Sequence, residues 1–442
     1  MLLKGNKKMN NLPKIMSISL NSWRQDSNLH TEIELFKFWD SKKVSQIYTR
    51  SDLPNTNVCN NFFQISENQI IKSVLNRKNV GKEIHNGEIL DKNIKKQIEQ
   101  EKKLYAFAHR KKTWFFTLVR EIVWDLGKWK SDELDLFIKK INPDIYFIPI
   151  YPVIYTAKIQ EYILRKYKKP YVSYIADDNF TYTNCGWNMF SWIHRFLLRK
   201  HVEKLIKGSD GIFVINEKLK DEIKKRYNKE SVILTKGIHF ESKNKVEWKI
   251  NNPIKILYTG NLLIGRKSSI VEVANAVRKI NSNELKIIFD IYSPTEIDNK
   301  TLNLLNSQGV RFHGNIPYSE VVKRQNESDI LLFAESLENK FKKIAWLSFS
   351  TKITDYLKAG KCIFAIGDSE IAPIEYLEKN KAAIVVTDLK LVEKALRDLI
   401  DNPIKIKEFG EQAFNLGLKN HNEEDVKTSF VRTICNSLIH SF

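Results

Sequence analysis

The sequence predicts an α/β protein built from two doubly wound parallel sheets. Short apolar runs rich in β-branched residues alternate with helical patterns from end to end, which is typical of parallel strands covered by helices on both faces. Thirteen such runs are too many for one sheet, so we expect two. The predicted strands are residues 14–20, 44–48, 62–65, 144–150, 171–175, 211–215 and 232–235 in the first half, and 255–258, 286–292, 310–313, 330–334, 362–366 and 383–386 in the second.

The polar segment 241–252 lies between the two sets of strands and predicts the domain boundary. We therefore expect an N-terminal domain over residues 1–250 and a C-terminal domain over residues 251–419, followed by a final helix within 420–442. Residues 79–100 are polar and predict a loop or a weak helix. Ligands of open parallel sheets bind beyond the carboxyl ends of the strands, so the loops that follow strands are the places to look for chemistry.

The composition excludes several classes of protein. With 442 residues, 42% of them hydrophobic, the chain can bury sizeable cores and is not a disordered protein. Its four cysteines are scattered and form no CxxC pair, which argues against a disulfide framework or a structural zinc site and favours a reducing cytoplasm. The N-terminus lacks the apolar core of a secretory signal, and the best uncharged stretch, 145–157, is too short to span a bilayer.

The net charge is +20, from 72 basic and 52 acidic residues. Nucleic acid, an anionic membrane or phosphorylated substrates would each suit such a charge. A composition rich in Lys, Asn and Ile without any binding role is the remaining explanation. The basic residues accompany no helix-turn-helix, zinc or RNA-binding motif, which argues against a nucleic-acid-binding protein.

The first candidate phosphate site opens the C-terminal domain. The strand 255–258 is followed by a turn containing Gly260 and Gly265, and then by a helical pattern. Glycines let the backbone approach a ligand closely, and the free N–H groups at a helix start favour an anion. Arg266 and Lys267 add positive charge where a diphosphate would lie. A P-loop, GxxxxGK[ST], is the alternative, but the lysine stands one position too late for it.

A second candidate lies in the stretch 347–368. Ser350, Thr351 and Lys352 stand at the start of a predicted helix, whose free N–H groups can take phosphate oxygens. Asp355 falls in the first turns of the same helix. A carboxylate there can accept both hydroxyls of a ribose, and a capping or helix-dipole role is the alternative.

Three blocks of sequence resemble the nucleotide-sugar half of GT-B glycosyltransferases, particularly retaining family 4. They are GNLLIGRKSS from Gly260, FHGNIPYSEV from Phe312 and STKITDYLKAGKCIFAIGD from Ser350. The N-terminal half is similar to bacterial surface-polysaccharide members of that group, in segments such as YVSYIADDNF from Tyr171. The resemblance covers most of the chain from about residue 14 and is strongest over 255–368.

The resemblance implies the GT-B fold, with two Rossmann-like domains facing across a cleft and a last helix that crosses back onto the N-terminal domain. It implies an enzyme that moves a sugar from a nucleoside-diphosphate sugar to a hydroxyl of a glycan or lipid-linked acceptor. Retention of configuration and a role in capsule, lipopolysaccharide or related surface-polysaccharide synthesis are implied by the family alone. We expect no cofactor besides the donor substrate, and no metal. A nucleotide-sugar epimerase on the same fold is the alternative enzyme.

Residue by residue, the resemblance assigns the donor site to the C-terminal domain. Arg266 and Lys352 would neutralise the donor diphosphate and stabilise the charge of the leaving group, which makes them candidate catalytic residues. Residues 315–317 would lie against the nucleobase, and Asp355 stands where the family has a ribose-binding glutamate. The full implied donor set is Gly260, Asn261, Gly265, Arg266, Lys267, Asn315, Ile316, Pro317, Ser350, Thr351, Lys352 and Asp355.

The chain departs from the family pattern at two positions. The ribose position carries Asp355 in place of a glutamate, so its carboxylate is one methylene shorter. The first glutamate of the family's E-x7-E motif would fall at Leu347. Glu335 is nearby in the sequence, but its spacing does not match the motif.

The acceptor would be held by the N-terminal domain. Asp177 and Asp178 follow the strand 171–175, and we expect them to face the cleft and position hydroxyl groups as catalytic residues; a turn cap is the alternative. The loop after the first strand and the region after the strand 144–150 provide further acceptor-side candidates, namely Asn21, Trp23, Arg24, Tyr151 and Tyr155.

Two basic stretches, 102–130 and 187–207, combine positive charge with aromatic residues on apolar helical faces. Basic helices with such faces suit an anionic membrane interface, whereas an apolar stripe by itself is more often core. We expect a cytoplasmic protein that contacts the inner face of the plasma membrane peripherally.

Overall fold

The computed structural model describes residues 12–25, 31–76, 80–85, 114–186, 188–240 and 249–439. Packing divides the chain into two compact units. The N-terminal unit runs to Thr235 and also includes the residues from Lys427 onward, and the C-terminal unit is Lys236–Val426. No helix in the described part of the chain is long and apolar enough to cross a membrane.

The N-terminal unit is built on an eight-stranded sheet with the order β4-β3-β2-β1-β5-β6-β7-β8. All neighbours are parallel except β4, which runs antiparallel to β3 at the edge. Every residue of β1, β2 and β5 is buried, as expected of parallel strands covered on both faces. The strands are β1 Ile15–Ser19, β2 Val44–Tyr48, β3 Asn61–Gln64, β4 Lys82–Ile84, β5 Ile145–Pro149, β6 Tyr171–Ile175, β7 Gly211–Val214 and β8 Val232–Ile233.

Helices connect most of these strands and cover both faces of the sheet. Capping residues determine where these helices begin and end. In α4, for example, the side chain of the N-cap residue Ser131 accepts a hydrogen bond from the Leu134 N–H, and the C-cap residue Asn142 adopts the left-handed conformation. The helices of the unit are α1 Thr31–Phe36, α2 Glu67–Asn76, α3 Trp114–Leu126, α4 Asp132–Ile141, α5 Ile154–Tyr167, α6 Met189–Lys207 and α7 Glu217–Tyr227.

The C-terminal unit has a six-stranded, fully parallel sheet with the order β11-β10-β9-β12-β13-β14. The switch in strand order at β9 is the doubly wound topology. The strands are β9 Ile254–Thr259, β10 Ile287–Tyr292, β11 Val310–Gly314, β12 Ile330–Ala334, β13 Cys362–Ile366 and β14 Ile384–Val386. The helices are α8 Arg266–Ile280, α9 Asn299–Leu305, α10 Tyr318–Glu327, α11 Asn339–Ala345, α12 Thr351–Ala359, α13 Ala372–Lys379, α14 Val392–Asp401 and α15 Ile404–Asn420.

The last helix, α16 Glu423–Ile439, begins in the C-terminal unit and ends in the N-terminal one. Phe430 anchors it there, because its ring is fully buried. The ring centroid lies 5.3 Å from that of Phe36, 6.0 Å from that of Phe147 and 5.4 Å from that of Phe213. The final helix is therefore part of the aromatic core of the N-terminal unit.

The predicted α/β architecture with two parallel sheets is confirmed, and each of the thirteen predicted strands coincides with an observed one. The sequence missed β4, which lies in the polar region 79–100 and has only Ile84 buried; residues 86–100 lie outside the described part. Packing places the division of the chain before position 250. Ile238 pairs with Asn422, so the residues just after Thr235 belong to the C-terminal unit. Residues 241–248 of the predicted linker are outside the described part.

Replacing Phe430 by alanine is expected to destabilise the N-terminal unit by about 3–5 kcal/mol, because a fully buried ring leaves a cavity. Urea-induced unfolding followed by tryptophan emission measures the change, since most tryptophans lie in this unit. The matched control is Ile439→Ala on the same helix, where the side chain is 69% exposed and the expected change is within about 0.5 kcal/mol. Equal stability of the two variants would contradict the anchoring role of Phe430.

Candidate functional site

The turn between β9 and α8 has a backbone that only glycine adopts without strain. Gly260 has φ +148° and Gly265 has φ +73°. A Cβ atom at Gly260 would lie 1.9 Å from the Lys352 Nζ, and one at Gly265 would lie 2.4 Å from the Ser336 Oγ. Both glycines therefore permit a close approach of the turn to segments that are distant in the sequence.

Arg266, the first residue of α8, is held by a buried carboxylate. Its Nε and Nη2 donate to the two carboxylate oxygens of Glu335 at 3.0 and 2.8 Å, and its Nη1 donates to the Asn261 Oδ1 at 3.0 Å. Burial opposes the charge of Arg266, but the bonds to Glu335 outweigh it and raise the pKa of the guanidinium. Glu335 is only 5% exposed, so this bidentate pair is shielded from water.

Lys352 lies in the first turn of α12, and its ammonium reaches back to Gly260. The Nζ atom is 5.3 Å from the centroid of the Tyr258 ring. It forms no ion pair with any carboxylate of the described residues. Burial, together with the charge of Arg266, lowers the pKa of this ammonium to about 8, and the Glu335 carboxylate opposes the shift only in part. A partly desolvated cation beside a second cation is an arrangement that an anion would stabilise.

The N-terminus of α12 supplies further positive potential beside Lys352. Ser350 occupies the N-cap position as predicted, but its side chain makes no capping hydrogen bond. Thr351 is exposed at the first position of the helix. The first N–H groups of this nine-residue helix therefore receive no side-chain cap and can donate hydrogen bonds to an anion.

Asp355 lies on the same helix and belongs to a cluster that the sequence analysis did not predict. Its Oδ1 accepts from the Lys236 Nζ at 2.8 Å, and the Tyr318 hydroxyl lies 3.4 Å from the same oxygen. Burial opposes the charge of Lys236, yet Asp355 more than offsets this and raises the pKa of that ammonium. The position of Lys236 after β8 was the only feature of the sequence that could have suggested a role for this residue. Lys236 and Asp355 are 119 residues apart in the sequence.

The remaining predicted donor residues differ in their surroundings. Asn315 and Pro317 are exposed and Ile316 is half-buried in the turn after β11, and Pro317 is the N-cap residue of α10. The exposed Lys267 does not join Arg266 at Glu335, because its Nζ pairs with Asp298 at 3.0 Å.

Leu347 is completely buried, so an apolar side chain fills the core where the resemblance would place a glutamate. The carboxylate that touches the candidate site is instead Glu335, whose spacing did not match the family motif. The sequence analysis therefore missed the acid that holds Arg266.

On the N-terminal unit, two of the predicted acceptor residues are core residues. Trp23 is 3% exposed, stacks on Phe36 with centroids 5.0 Å apart and donates its Nε1–H to Glu32 at 2.8 Å. Tyr155 is 1% exposed and stacks on Trp124 with centroids 4.0 Å apart. The expectation that these rings contact a substrate is corrected, because both are enclosed by the helices that cover the sheet.

The other acceptor-side residues remain nearer the surface or serve the local structure. Asn21 is half-buried, Arg24 donates its Nη1–H to the Leu53 carbonyl at 3.0 Å, and Tyr151 donates to the Glu32 carboxylate at 2.8 Å. Burial raises the pKa of Glu32, although the hydrogen bonds that it accepts from Trp23 and Tyr151 act to lower it.

The two aspartates after β6 have different surroundings. Asp177 is exposed. Asp178 is buried, and its carboxylate accepts from the N–H of Thr181 at 2.9 Å and from the Thr181 hydroxyl. Asp178 therefore caps a turn, which was the alternative role. No group of three or more potential metal ligands occurs among the residues that the structure describes.

No protein-family model matches the chain, and no curated protein matches it by sequence. Among solved structures, the chain is similar to sucrose-phosphate synthase from Thermosynechococcus elongatus, with a TM-score of 0.57 and 8% identity over 94% of this chain and 96% of that one. HepE from Anabaena, in complex with UDP, has a TM-score of 0.57 and 9% identity over 96% of this chain and 99% of its own.

The N-terminal domain of trehalose-6-phosphate phosphatase from Candida albicans has a TM-score of 0.58 and 13% identity, over 97% of this chain and all of that one. TarM aligns with 66% of this chain, with a TM-score of 0.49 and 13% identity, and the chain spans about half of its length, 54%. The full-length likenesses establish the fold class: the two units are the Rossmann-like domains of the GT-B fold.

The affinity of the Arg266 and Lys352 cations for inorganic pyrophosphate is expected to fall by up to about tenfold between pH 7 and 9. Lys352, with a pKa of about 8, carries its charge below that pH and loses it above. Isothermal titration calorimetry across this range measures the effect. Lys352→Arg keeps its charge throughout and should show a flat profile. Parallel pH profiles for the two proteins would exclude Lys352 as the titrating group.

Proposed function

We propose that the chain is a glycosyltransferase that moves a sugar from a nucleoside-diphosphate sugar to a hydroxyl of a glycan or lipid-linked acceptor. The observation that carries the proposal is the Lys352 ammonium, which lacks a carboxylate partner among the described residues and lies between Gly260 and the Tyr258 ring. Arg266 and the uncapped N-terminus of α12 add positive potential nearby. A diphosphate fits this combination better than a single carboxylate, because two cations and a helix end are available.

The chemistry follows from the charge that develops during transfer. When the bond between the anomeric carbon and the phosphate oxygen breaks, negative charge grows on the diphosphate. Lys352 and Arg266 would stabilise that charge, and the preformed pair with Glu335 fixes the Arg266 guanidinium in advance. The acceptor hydroxyl forms the new bond to the anomeric carbon, and its proton leaves with the diphosphate.

Asp355 is proposed to bind the ribose. Its Oδ1 is occupied by Lys236, but its Oδ2 has no hydrogen bond to any described residue. The free oxygen can accept from a ribose hydroxyl while the bond from Lys236 to Oδ1 holds the carboxylate in place. Tyr318 follows the turn 315–317, so the proposed nucleobase segment leads directly into the Asp355 cluster.

The finer assignment rests on the sequence resemblance. We propose a retaining, metal-independent family 4 enzyme of bacterial surface-polysaccharide synthesis, such as that of capsule or lipopolysaccharide, at the cytoplasmic face of the plasma membrane. HepE, whose structures contain UDP and UDP-glucose, supports a nucleotide-sugar donor because its fold matches this chain over nearly its whole length.

Thermal unfolding with UDP, GDP, ADP, dTDP, CMP and ATP–Mg²⁺ tests the donor site. A nucleoside diphosphate at about 100 times its Kd should stabilise the protein by roughly 2.7 kcal/mol and raise the unfolding midpoint. Arg266→Ala and Lys352→Ala should abolish the shift, because each removes a cation at the diphosphate. Lys358→Ala is the matched control, since it removes an exposed lysine from the last turn of the same helix.

Other outcomes of the same experiment would contradict the proposal. A shift with ATP–Mg²⁺ alone would indicate a P-loop, and no shift with any nucleotide would exclude the donor site. Isomerisation of the donor without any acceptor would indicate the epimerase.

We further propose that α3 and α6 bring the enzyme to an anionic membrane. On α6, Trp192, Ile193 and Phe196 are 47%, 44% and 48% exposed, and on α3, Ile122 and Leu126 are 57% and 64% exposed. We call these five residues the α3–α6 face. Exposed apolar side chains of this number, together with the five Lys and Arg residues of α6, are typical of interfacial helices. Residues 102–113 and 187 of the predicted stretches lie outside the described part.

The double variant Trp192→Glu/Phe196→Glu is expected to lower the affinity for vesicles containing phosphatidylglycerol by at least about tenfold, because two aromatic rings no longer enter the interface. Co-sedimentation with vesicles measures it. Leu136→Glu, which alters a 65% exposed residue of α4, is the control and should bind as the unaltered protein does. Undiminished binding of the double variant would rule out the α3–α6 face as the contact.

A further inference from the structure

A groove of about 920 Å³ opens on the N-terminal unit between the segment 125–130, α5 and the end of α6. We call it the distal groove. Its lining includes Lys128, Lys130, Lys158, Arg165, Lys204 and Tyr162. Lys128, Lys130 and Lys204 belong to the two basic stretches of the sequence, but none of the six residues is a predicted donor or acceptor residue or part of the α3–α6 face. The proposed sites therefore do not account for the groove.

The groove carries an excess of positive charge. Its five basic residues face two carboxylates, Asp125 and Glu161. Asp125 accepts from the Lys158 Nζ at 2.6 Å, while Glu161 lies 2.5 Å from the His201 Nδ1 and 3.7 Å from the Lys204 Nζ. Each carboxylate is therefore already paired with a lysine of the same groove, Asp125 with Lys158 and Glu161 with Lys204.

Three cations remain. Lys128, Lys130 and Arg165 form no ion pair with any carboxylate of the described residues, and all three are exposed. Like charges that share a concave surface repel one another and concentrate anions from solution.

The floor of the groove is preorganised. Trp129 is only 6% exposed, packs edge-on against Tyr162 with centroids 5.3 Å apart and donates its Nε1–H to the Trp124 carbonyl at 3.2 Å. The Lys130 Nζ lies 5.2 and 5.4 Å from the centroids of these two rings. Cation–π contact thus holds one of the three spare cations over a rigid aromatic surface, which lowers the entropy cost of binding.

We infer that the distal groove binds an anionic oligosaccharide segment, with Lys128, Lys130 and Arg165 as the partners of its acidic groups. The volume lies in the range of binding sites for organic ligands and exceeds what a single small anion needs. The many charged side chains of the lining exclude an apolar ligand and suit a chain that carries both hydroxyl and acidic groups. This inference rests on the proposed function, because the segment would be part of the glycan that the enzyme extends.

The groove lies at the opposite end of β6 from the predicted acceptor residues. Tyr171, which lines the groove, is the first residue of β6, and Asp177 follows its last residue. At about 3.3 Å per residue, the strand separates the two ends by roughly 13 Å. The groove therefore binds a part of the glycan that is remote from the reacting hydroxyl.

The experiment is calorimetric titration of the full chain with an octamer of galacturonic acid in 150 mM salt, with maltooctaose as the neutral counterpart. The groove variant is Lys128→Ala/Lys130→Ala/Arg165→Ala. The control Lys300→Ala/Lys323→Ala/Lys394→Ala removes the same charge from exposed lysines of the C-terminal unit. We expect the unaltered chain to bind the acidic octamer and not maltooctaose, and the groove variant to bind it at least about tenfold more weakly, with less than a twofold change in the control.

Equal weakening in both triple variants would overturn the assignment, because it would reflect net charge alone. Displacement of the octamer by an equimolar thymidine octanucleotide would also overturn it, in favour of a nucleic-acid groove. The thermal shift with the same panel of nucleotides, measured on the same proteins, separates the two proposals. A groove variant that keeps the shift is folded, so its loss of octamer binding supports the groove, whereas a missing shift in the unaltered chain overturns only the donor site.

Discussion

The bidentate bond between Glu335 and Arg266 organises the candidate donor site. Glu335 follows β12 directly, and its N–H donates to the Ile366 carbonyl at the end of β13, while its own carbonyl accepts from the Ser269 hydroxyl of α8. One residue thus joins two strands and a helix, and its carboxylate fixes the first residue of that helix. Loss of the carboxylate would leave a largely buried guanidinium uncompensated, which is more costly than loss of an exposed ion pair.

The same interaction explains why the site remains positive. Glu335 compensates Arg266, but the nearby Lys352 has no carboxylate of its own among the described residues, and its pKa falls to about 8 as a result of burial and of the neighbouring guanidinium. Such an arrangement destabilises the protein in the absence of a ligand. Proteins retain unfavourable charge at functional sites because the ligand supplies the missing counter-charge.

Local patterns in the sequence predicted much of this arrangement. Gly260, Gly265 and Arg266 are close in the sequence, and positive φ angles at the glycines follow from the tight turn before a helix. Lys352 lies at the start of a helix, and Ser350 in the sequence indicated where that helix begins. The sequence did not predict the pairs Arg266–Glu335 and Lys236–Asp355, because their members are 69 and 119 residues apart and no periodicity links them.

The sequence by itself determined the two parallel sheets and the strands within them, because burial on both faces requires continuous apolar runs that can be recognised locally. It also determined which loops carry glycine and positive charge. Only the tertiary structure decided which polar side chains meet and which aromatic rings are enclosed. Trp23 and Tyr155 follow strands, as ligand-binding residues often do, yet helices packed over the sheet bury both. The burial of these rings depends on packing between segments that are distant in the sequence, and local sequence patterns do not reveal such packing.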